Sequence, residues 1–353
     1  MPLYDALAEL PLQIDSYALE GRQRTISPEF ERVTTSVHLH GGDEEGLGED
    51  VTYDPALQRA QQEIGPVLPL RGSWTLDSFS QRLEQLDLFH GADPGMPAFR
   101  DYRRWAFESA AADLALRQAG RSLADVLGRE PQPIHFVVSL RLGEPASAEP
   151  VTKRLAAYPG LRFKLDYSPS WDEELVAALA ATGAVESIDF KGAYKGTPVD
   201  VDTVPELYRR CAEVFPQAWL EDPDLTDPGA DEALRPFRDR ITWDAPIHGV
   251  PDIEALPFQP RTINVKPSRI GTWKKLLHTY EWCADRGIVN YGGGQSELGV
   301  GRGQIQYLAS IFHASEANDI APSGYDWVDF PVTGLPTNPL PPDLDPTGFR
   351  RRS

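Results

Sequence analysis

A chain of 353 residues, 41% hydrophobic and 10% aromatic, can bury a sizeable core in one large or two moderate domains. Its 53 acidic residues against 34 basic ones leave a net charge of -19, which argues against an electrostatic footprint for nucleic acid or for an anionic membrane surface. Two cysteines, Cys211 and Cys283, exclude a disulfide framework and a cysteine zinc site; with no membrane-length apolar run and no signal-peptide pattern after Met1, the expected location is cytoplasmic.

The alternation Val33, Thr35, Val37, Leu39 ends at Gly41-Gly42 and predicts a strand running into a turn, with 46–53 as the return strand. An antiparallel sheet therefore opens the chain. Helices are expected over 76–86 and 102–127. The second carries small residues at helical spacing, Ala106, Ala110, Ala111 and Ala115 beside Leu114, which implies close packing on a neighbour. It should break near Gly120, restart on the cap Ser122 and stop at Gly128. Pro131-Gln132-Pro133 marks a boundary, after which apolar strand-like runs alternate with amphipathic helices. Strands are expected at 134–140, 161–166, 186–190, 217–221, 240–244, 261–266, 287–291 and 319–321, with helices at 172–181, 204–214, 273–286 and 303–314. That set is the size of a (β/α) barrel. The expected division is an α+β domain at 1–133, a barrel at 134–325, and a proline-rich tail at 326–353 running extended back across the first domain. The terminal Arg350-Arg351-Arg352 reads as a disordered end.

Five charged residues close apolar runs in the barrel half: Lys164, Asp189, Glu221, Asp244 and Lys266, spaced 25, 32, 23 and 22 residues apart. A βα unit repeats on that scale, so these residues fall at strand ends on one rim. Three carboxylates there suit a hard divalent cation, which takes oxygen ligands. Two lysines beside them suit proton transfer. A proton next to a carboxylate is very weakly acidic, because its loss yields a dianionic enediolate. A cation on the carboxylate oxygens stabilises that charge, and a partly desolvated lysine near a cation has its pKa lowered toward working pH. Other chemistries find no support: the seven histidines lack HExxH spacing, Gly-x-Ser-x-Gly is absent, and the glycine run 292–294 lacks the Lys-Ser/Thr of a phosphate loop.

These residues resemble those of the enolase superfamily, in the branch that includes muconate cycloisomerase, o-succinylbenzoate synthase and dipeptide epimerases. Phe107-Glu108-Ser109-Ala110-Ala111-Ala112-Asp113-Leu114-Ala115-Leu116 is similar to its capping-domain helix, and Gly293-Gly294-Gln295-Ser296-Glu297-Leu298-Gly299-Val300-Gly301 to its seventh-strand glycine-rich turn. The resemblance implies class α/β, a (β/α)7β-type modified TIM barrel with an α+β N-terminal capping domain, and loops near 26–32 that help choose the substrate. It implies Mg2+ on Asp189, Glu221 and Asp244 and catalysis by Lys164 and Lys266, the pairing of amine base and Mg2+ being that superfamily's known pattern. No histidine stands at the sixth or seventh strand end, which counts against the mandelate racemase branch.

Two positions depart from the branch. Arg162-Phe163-Lys164 stands where the branch has Lys-x-Lys, and Lys191 of Asp189-Phe190-Lys191-Gly192 where asparagine is usual. Arg162, Lys191 and Glu297 are candidate substrate-binding residues. The implied function is abstraction of a proton α to a carboxylate by a Mg2+-dependent isomerase or lyase: a cycloisomerase, a dehydratase, or an epimerase or racemase. The second open reading is a catalytically impaired barrel that binds a carboxylate ligand without turnover, Lys191 having spoiled metal binding. In both, the partner is a small carboxylate, not nucleic acid or membrane, and a homo-oligomer is expected.

Overall fold

The computed structural model describes residues 2–27, 30–197, 199–327 and 329–352. A short β1 (Pro11–Ile14) precedes three longer strands, β2 (Ser16–Ser27), β3 (Phe30–Gly41) and β4 (Glu44–Asp50), which form an antiparallel sheet in that order. β5 (Gly72–Thr75) returns to pair antiparallel with β1. Helix Pro97–Gln118 lies on β3 and β4, over the buried Val37 and Leu39. Small residues on both sides set how close it comes. A Cβ at Gly46 would lie 2.2 Å from the carbonyl oxygen of Ala110, and one at Gly48 only 2.0 Å from that of Ala106. The alanine stripe is therefore matched by glycines across the contact, at a separation no larger residue allows. The helix begins at Pro97, upstream of the expected Tyr102, because a proline fits the first turn, where its missing N–H has no intrahelical partner. The shorter helix Leu123–Leu127 starts on a Ser122/Asp125 capping box and ends on Gly128 in the left-handed region, φ 61.

Seven parallel strands follow, neighbours in sequence order: β6 (Val138–Leu140), β7 (Phe163–Asp166), β8 (Val185–Asp189), β9 (Trp219–Glu221), β10 (Ile241–Trp243), β11 (Thr262–Val265) and β12 (Val289–Gly292). The eighth strand expected at 319–321 is reduced to two parallel bridges, Phe136 with Asn318 and Gly293 with Asp319. They join the two edges of the sheet, and the barrel closes in the (β/α)7β manner. Asn318 ties this seam. Its Nδ2 donates to the carbonyls of His135, His313 and Glu316, and its Oδ1 accepts the Gly292 N–H at 2.7 Å. That oxygen also lies 2.6 Å from His313 Nδ1, which must therefore carry the ring proton, while Nε2 accepts the Tyr280 hydroxyl at 3.1 Å. Burial disfavours the imidazolium and lowers His313 to about 4.

The tail meets both halves of the chain. Leu340 bridges Ile134, Gly348 bridges Ser122, and the Phe349 ring lies 5.1 Å from that of Trp273. The Phe349 N–H donates to Asp113 Oδ1 at 3.1 Å, and the Arg350 guanidinium donates to Asp113 and to the Glu45 carbonyl. Arg350 is thus not the disordered end that its terminal position suggests: the buried Asp113 carboxylate neutralises it. Among the described residues, no helix is long and apolar enough to cross a membrane.

Candidate active site

The parallel strands deliver their charged ends to one rim. Lys164 lies in β7, Asp189 and Glu221 end β8 and β9, and Asp244 and Lys266 directly follow β10 and β11. All five are buried, and the fold brings them together. Lys164 Nζ contacts Glu221 Oε1, with Asp189 Oδ2 at 3.3 Å and Asp319 Oδ2 at 3.2 Å. Lys266 Nζ donates to Asp244 Oδ2 at 2.8 Å, and Arg269 to Asp244 Oδ1 at 2.7 Å. The Tyr291 hydroxyl donates to Glu221 Oε2 at 2.5 Å. Asp222, with φ 46, turns its carboxylate to the next strand, accepting the N–H of Asp244 at 2.9 Å and of Ala245 at 2.8 Å.

Among the described residues, oxygens of Asp189, Glu221 and Asp222 lie within 4.8 Å of one another and could hold a metal ion; Asp244, expected as the third ligand, is not in this group. The donor chemistry fits a hard divalent cation: carboxylate oxygens only, all buried, at the mouth of a barrel. The electrostatics fit as well. Burial works against the charge on Asp189, but the ammoniums of Lys191 and Lys164 outweigh it and lower the group to about 2. Burial opposes Asp244 too, yet Arg269 and Lys266 hold it far below the usual carboxylate range. Glu221 moves the other way. Lys164 alone would lower it, but burial, with Asp189, Asp244 and Asp222 close by, raises it well above the ordinary value. Asp222 rises to about 7 through burial and the charges of Asp244 and Asp189. Burial also opposes the Lys164 ammonium, while Glu221, Asp319 and Asp189 hold its pKa well above that of a free lysine. Carboxylates this crowded gain from an added cation.

Residues 5–126 and 130–327 match the N-terminal and C-terminal domains of a family described as domain of unknown function (DUF8230). The chain belongs to this family. It is also 29% identical over 230 residues to an o-succinylbenzoate synthase of Geobacillus stearothermophilus, a match that covers 63% of this chain but only 59% of that enzyme's length. An N-succinylamino acid racemase of Thermus thermophilus is 26% identical over 338 residues, 91% of this chain and 85% of that one. A solved member of the enolase superfamily from Listeria innocua superposes with a TM-score of 0.66 at 20% identity, over 90% of this chain and 88% of that chain. The fold is that of the enolase superfamily.

The remaining candidate residues divide. Lys191 joins the cluster through Asp189. Arg162 does not: its guanidinium is 3.4 Å from Glu186, which also holds His135 at 2.7 Å. Glu297 accepts the Gln295 N–H at 2.5 Å and lies 3.2 Å from Arg302, so it organises the glycine-rich loop. Of the loop 26–32, positions 28 and 29 lie outside the described residues, while Arg32 donates to the carbonyls of Gln295 and Ser296 and pins β3 to that same loop. Sequence reasoning missed Asp222, Arg269, Tyr291 and Asp319. A signal existed for two of them: Asp222 adjoins Glu221, and Arg269 follows Lys266 by three residues across Pro267.

Proposed function

We propose that the chain is a Mg2+-dependent isomerase or lyase that removes the proton α to a substrate carboxylate. The observation that carries this reading is the pair of buried lysines, Lys164 at β7 and Lys266 after β11, on either side of the carboxylates supplied by β8, β9 and β10. The relatives' names, o-succinylbenzoate synthase and N-succinylamino acid racemase, support a carboxylic acid as substrate.

In this reading Asp189, Glu221 and Asp244 hold the cation. Asp222, with both oxygens taken by backbone N–H groups at the end of β10, steadies Asp244. Bound there, Mg2+ supplies positive charge to the substrate oxygens that become negative as the α-proton leaves. Lys164 and Lys266 would exchange that proton from opposite faces, Lys164 serving as a base once a cation, rather than its own ammonium, neutralises Glu221 and Asp189. Arg269 and Tyr291 orient Asp244 and Glu221. The N-terminal domain is pinned through Arg32 to the 295–296 loop, and in this reading it covers the mouth and keeps water out.

Exchange of the α-proton in D2O, followed by proton NMR on a panel of N-acyl amino acids and aryl succinyl acids, tests the reading. The α-signal is expected to fade with Mg2+ present and to persist with chelator. No exchange across the panel, with metal binding intact, would leave carboxylate binding without turnover as the function.

A further inference from the structure

Lys191 has φ 57, a left-handed backbone conformation that side chains other than glycine, asparagine and aspartate rarely adopt. Several contacts fix it there. Its N–H donates to Asp189 Oδ1 at 3.0 Å, and the Gly192 N–H donates to the Asp222 carbonyl at 2.7 Å. Gly192 is packed so closely that a Cβ would lie 2.3 Å from the Asp224 nitrogen. The turn folds the lysine back on the end of β8, with Nζ 2.5 Å from Asp189 Oδ2 and 3.0 Å from Asp166 Oδ1. Asp166 and Asp189 are paired in register as the last residues of β7 and β8. The ammonium therefore bridges two carboxylates, one in the cation-competent trio and one outside it.

We propose that Lys191 is a tethered counter-cation of the carboxylate cluster: it occupies Asp189 Oδ2 when no divalent ion is bound, and yields to the ion by shifting onto Asp166. This rests on the reading of Asp189 as a cation ligand. A divalent ion and an ammonium on one buried carboxylate repel each other strongly, so the ion's affinity is lowered by whatever is needed to move the lysine. Being tethered, Lys191 competes at high effective concentration and loses no translational freedom by returning. Asp166 keeps the displaced charge paired, which an isolated buried ammonium could not tolerate. Lys191 thereby sets the ion concentration at which Asp189 becomes available.

Calorimetric titration with MnCl2 tests this on the wild-type chain and on Lys191→Asn, Lys191→Gln, Asp166→Asn and Asp189→Asn, each checked for folding by circular dichroism. Asparagine tolerates the left-handed backbone and glutamine keeps most of the side-chain length, so one misfolded variant does not decide the result. Both Lys191 substitutions should tighten Mn2+ binding by about tenfold or more, Asp166→Asn should weaken it, and Asp189→Asn should abolish it. Equal affinity in the wild type and both Lys191 variants, with Asp189→Asn blank, leaves Asp189 a ligand and overturns the role of Lys191. Weaker binding in the Lys191 variants overturns it too, making the lysine a support of the site. If no protein binds Mn2+, or Asp189→Asn binds like the wild type, the cation-site reading falls and this proposal with it.

Discussion

Glu49, near the end of β4, is one of the acceptors that join the N-terminal domain to the barrel. Its carboxylate takes the N–H groups of Leu298 at 2.7 Å, Gly299 at 2.9 Å and Gly301 at 2.9 Å, at the start of helix Val300–Phe312. The site is buried, and burial, with Glu297 nearby, raises the Glu49 pKa against the pull of these donors and of Thr34. Glu49→Ala leaves the buried Gly301 N–H and the half-buried Leu298 and Gly299 N–H groups without their acceptor. At about 1 kcal/mol each the loss is about 3 kcal/mol, to which the helix N-terminus adds about 0.5 kcal/mol by losing a facing negative charge. Glu49→Gln retains an acceptor oxygen and should lose about 1–2 kcal/mol. Urea unfolding at pH 7, followed by tryptophan fluorescence, is the assay. Trp105 of the N-terminal domain and Trp273 of the barrel, two of the eight tryptophans, have ring centroids 5.0 Å apart, so part of the signal comes from this interface. A stability of Glu49→Ala within about 0.5 kcal/mol of the wild type would refute the reasoning, because three N–H groups stripped of their acceptor, one of them fully buried, should cost more than that.

Further outcomes follow from other sites. His313 is held at about 4 by burial, below its ordinary 6.5, so the unfolded chain binds the extra proton between those values and stability falls as pH drops through that window. The linked loss reaches about 3 kcal/mol; a His313→Gln variant with the same pH dependence as the wild type would remove His313 as its source. Lys164→Ala should slow α-proton exchange by about 100-fold or more with the circular dichroism spectrum retained, and an unaltered rate takes Lys164 out of the mechanism. Gly192→Ala would force a Cβ to 2.3 Å from the Asp224 nitrogen and 2.6 Å from the Pro223 carbonyl carbon. Its thermal midpoint should drop by an amount equivalent to about 2 kcal/mol, and an unchanged midpoint contradicts the tight turn.

What the sequence made legible follows its periodicity. Barrel strands show themselves as apolar runs closed by a charged residue, and the five such ends it singles out do meet around one cluster. β2 escapes because its residues Glu20, Arg22 and Arg24 are exposed or half-exposed, leaving no apolar alternation to read. Helix Pro55–Ile64 escapes for a related reason: its buried face is made of Gln58 and Gln61, with Gln58 satisfied by Thr35 at 2.6 Å. Asp222 is hidden because neighbours on a strand point to opposite faces, and only its positive φ turns it back beside Glu221. Tyr291 and Asp319 reach the cluster through closure of the barrel, a property of the whole sheet that no local pattern carries.

The clasp of the tail on Asp113 has a consequence for how the chain is made. That carboxylate sits in the helix packed on the first sheet, yet Phe349 and Arg350 supply two of its partners. Until those residues have been made, Asp113 has only Arg117 and the Leu47 N–H of these partners. The first domain therefore reaches its full set of contacts only after the entire barrel has been synthesised, and a chain stopped short of position 349 lacks two of the donors to Asp113 even though every residue of that domain is present.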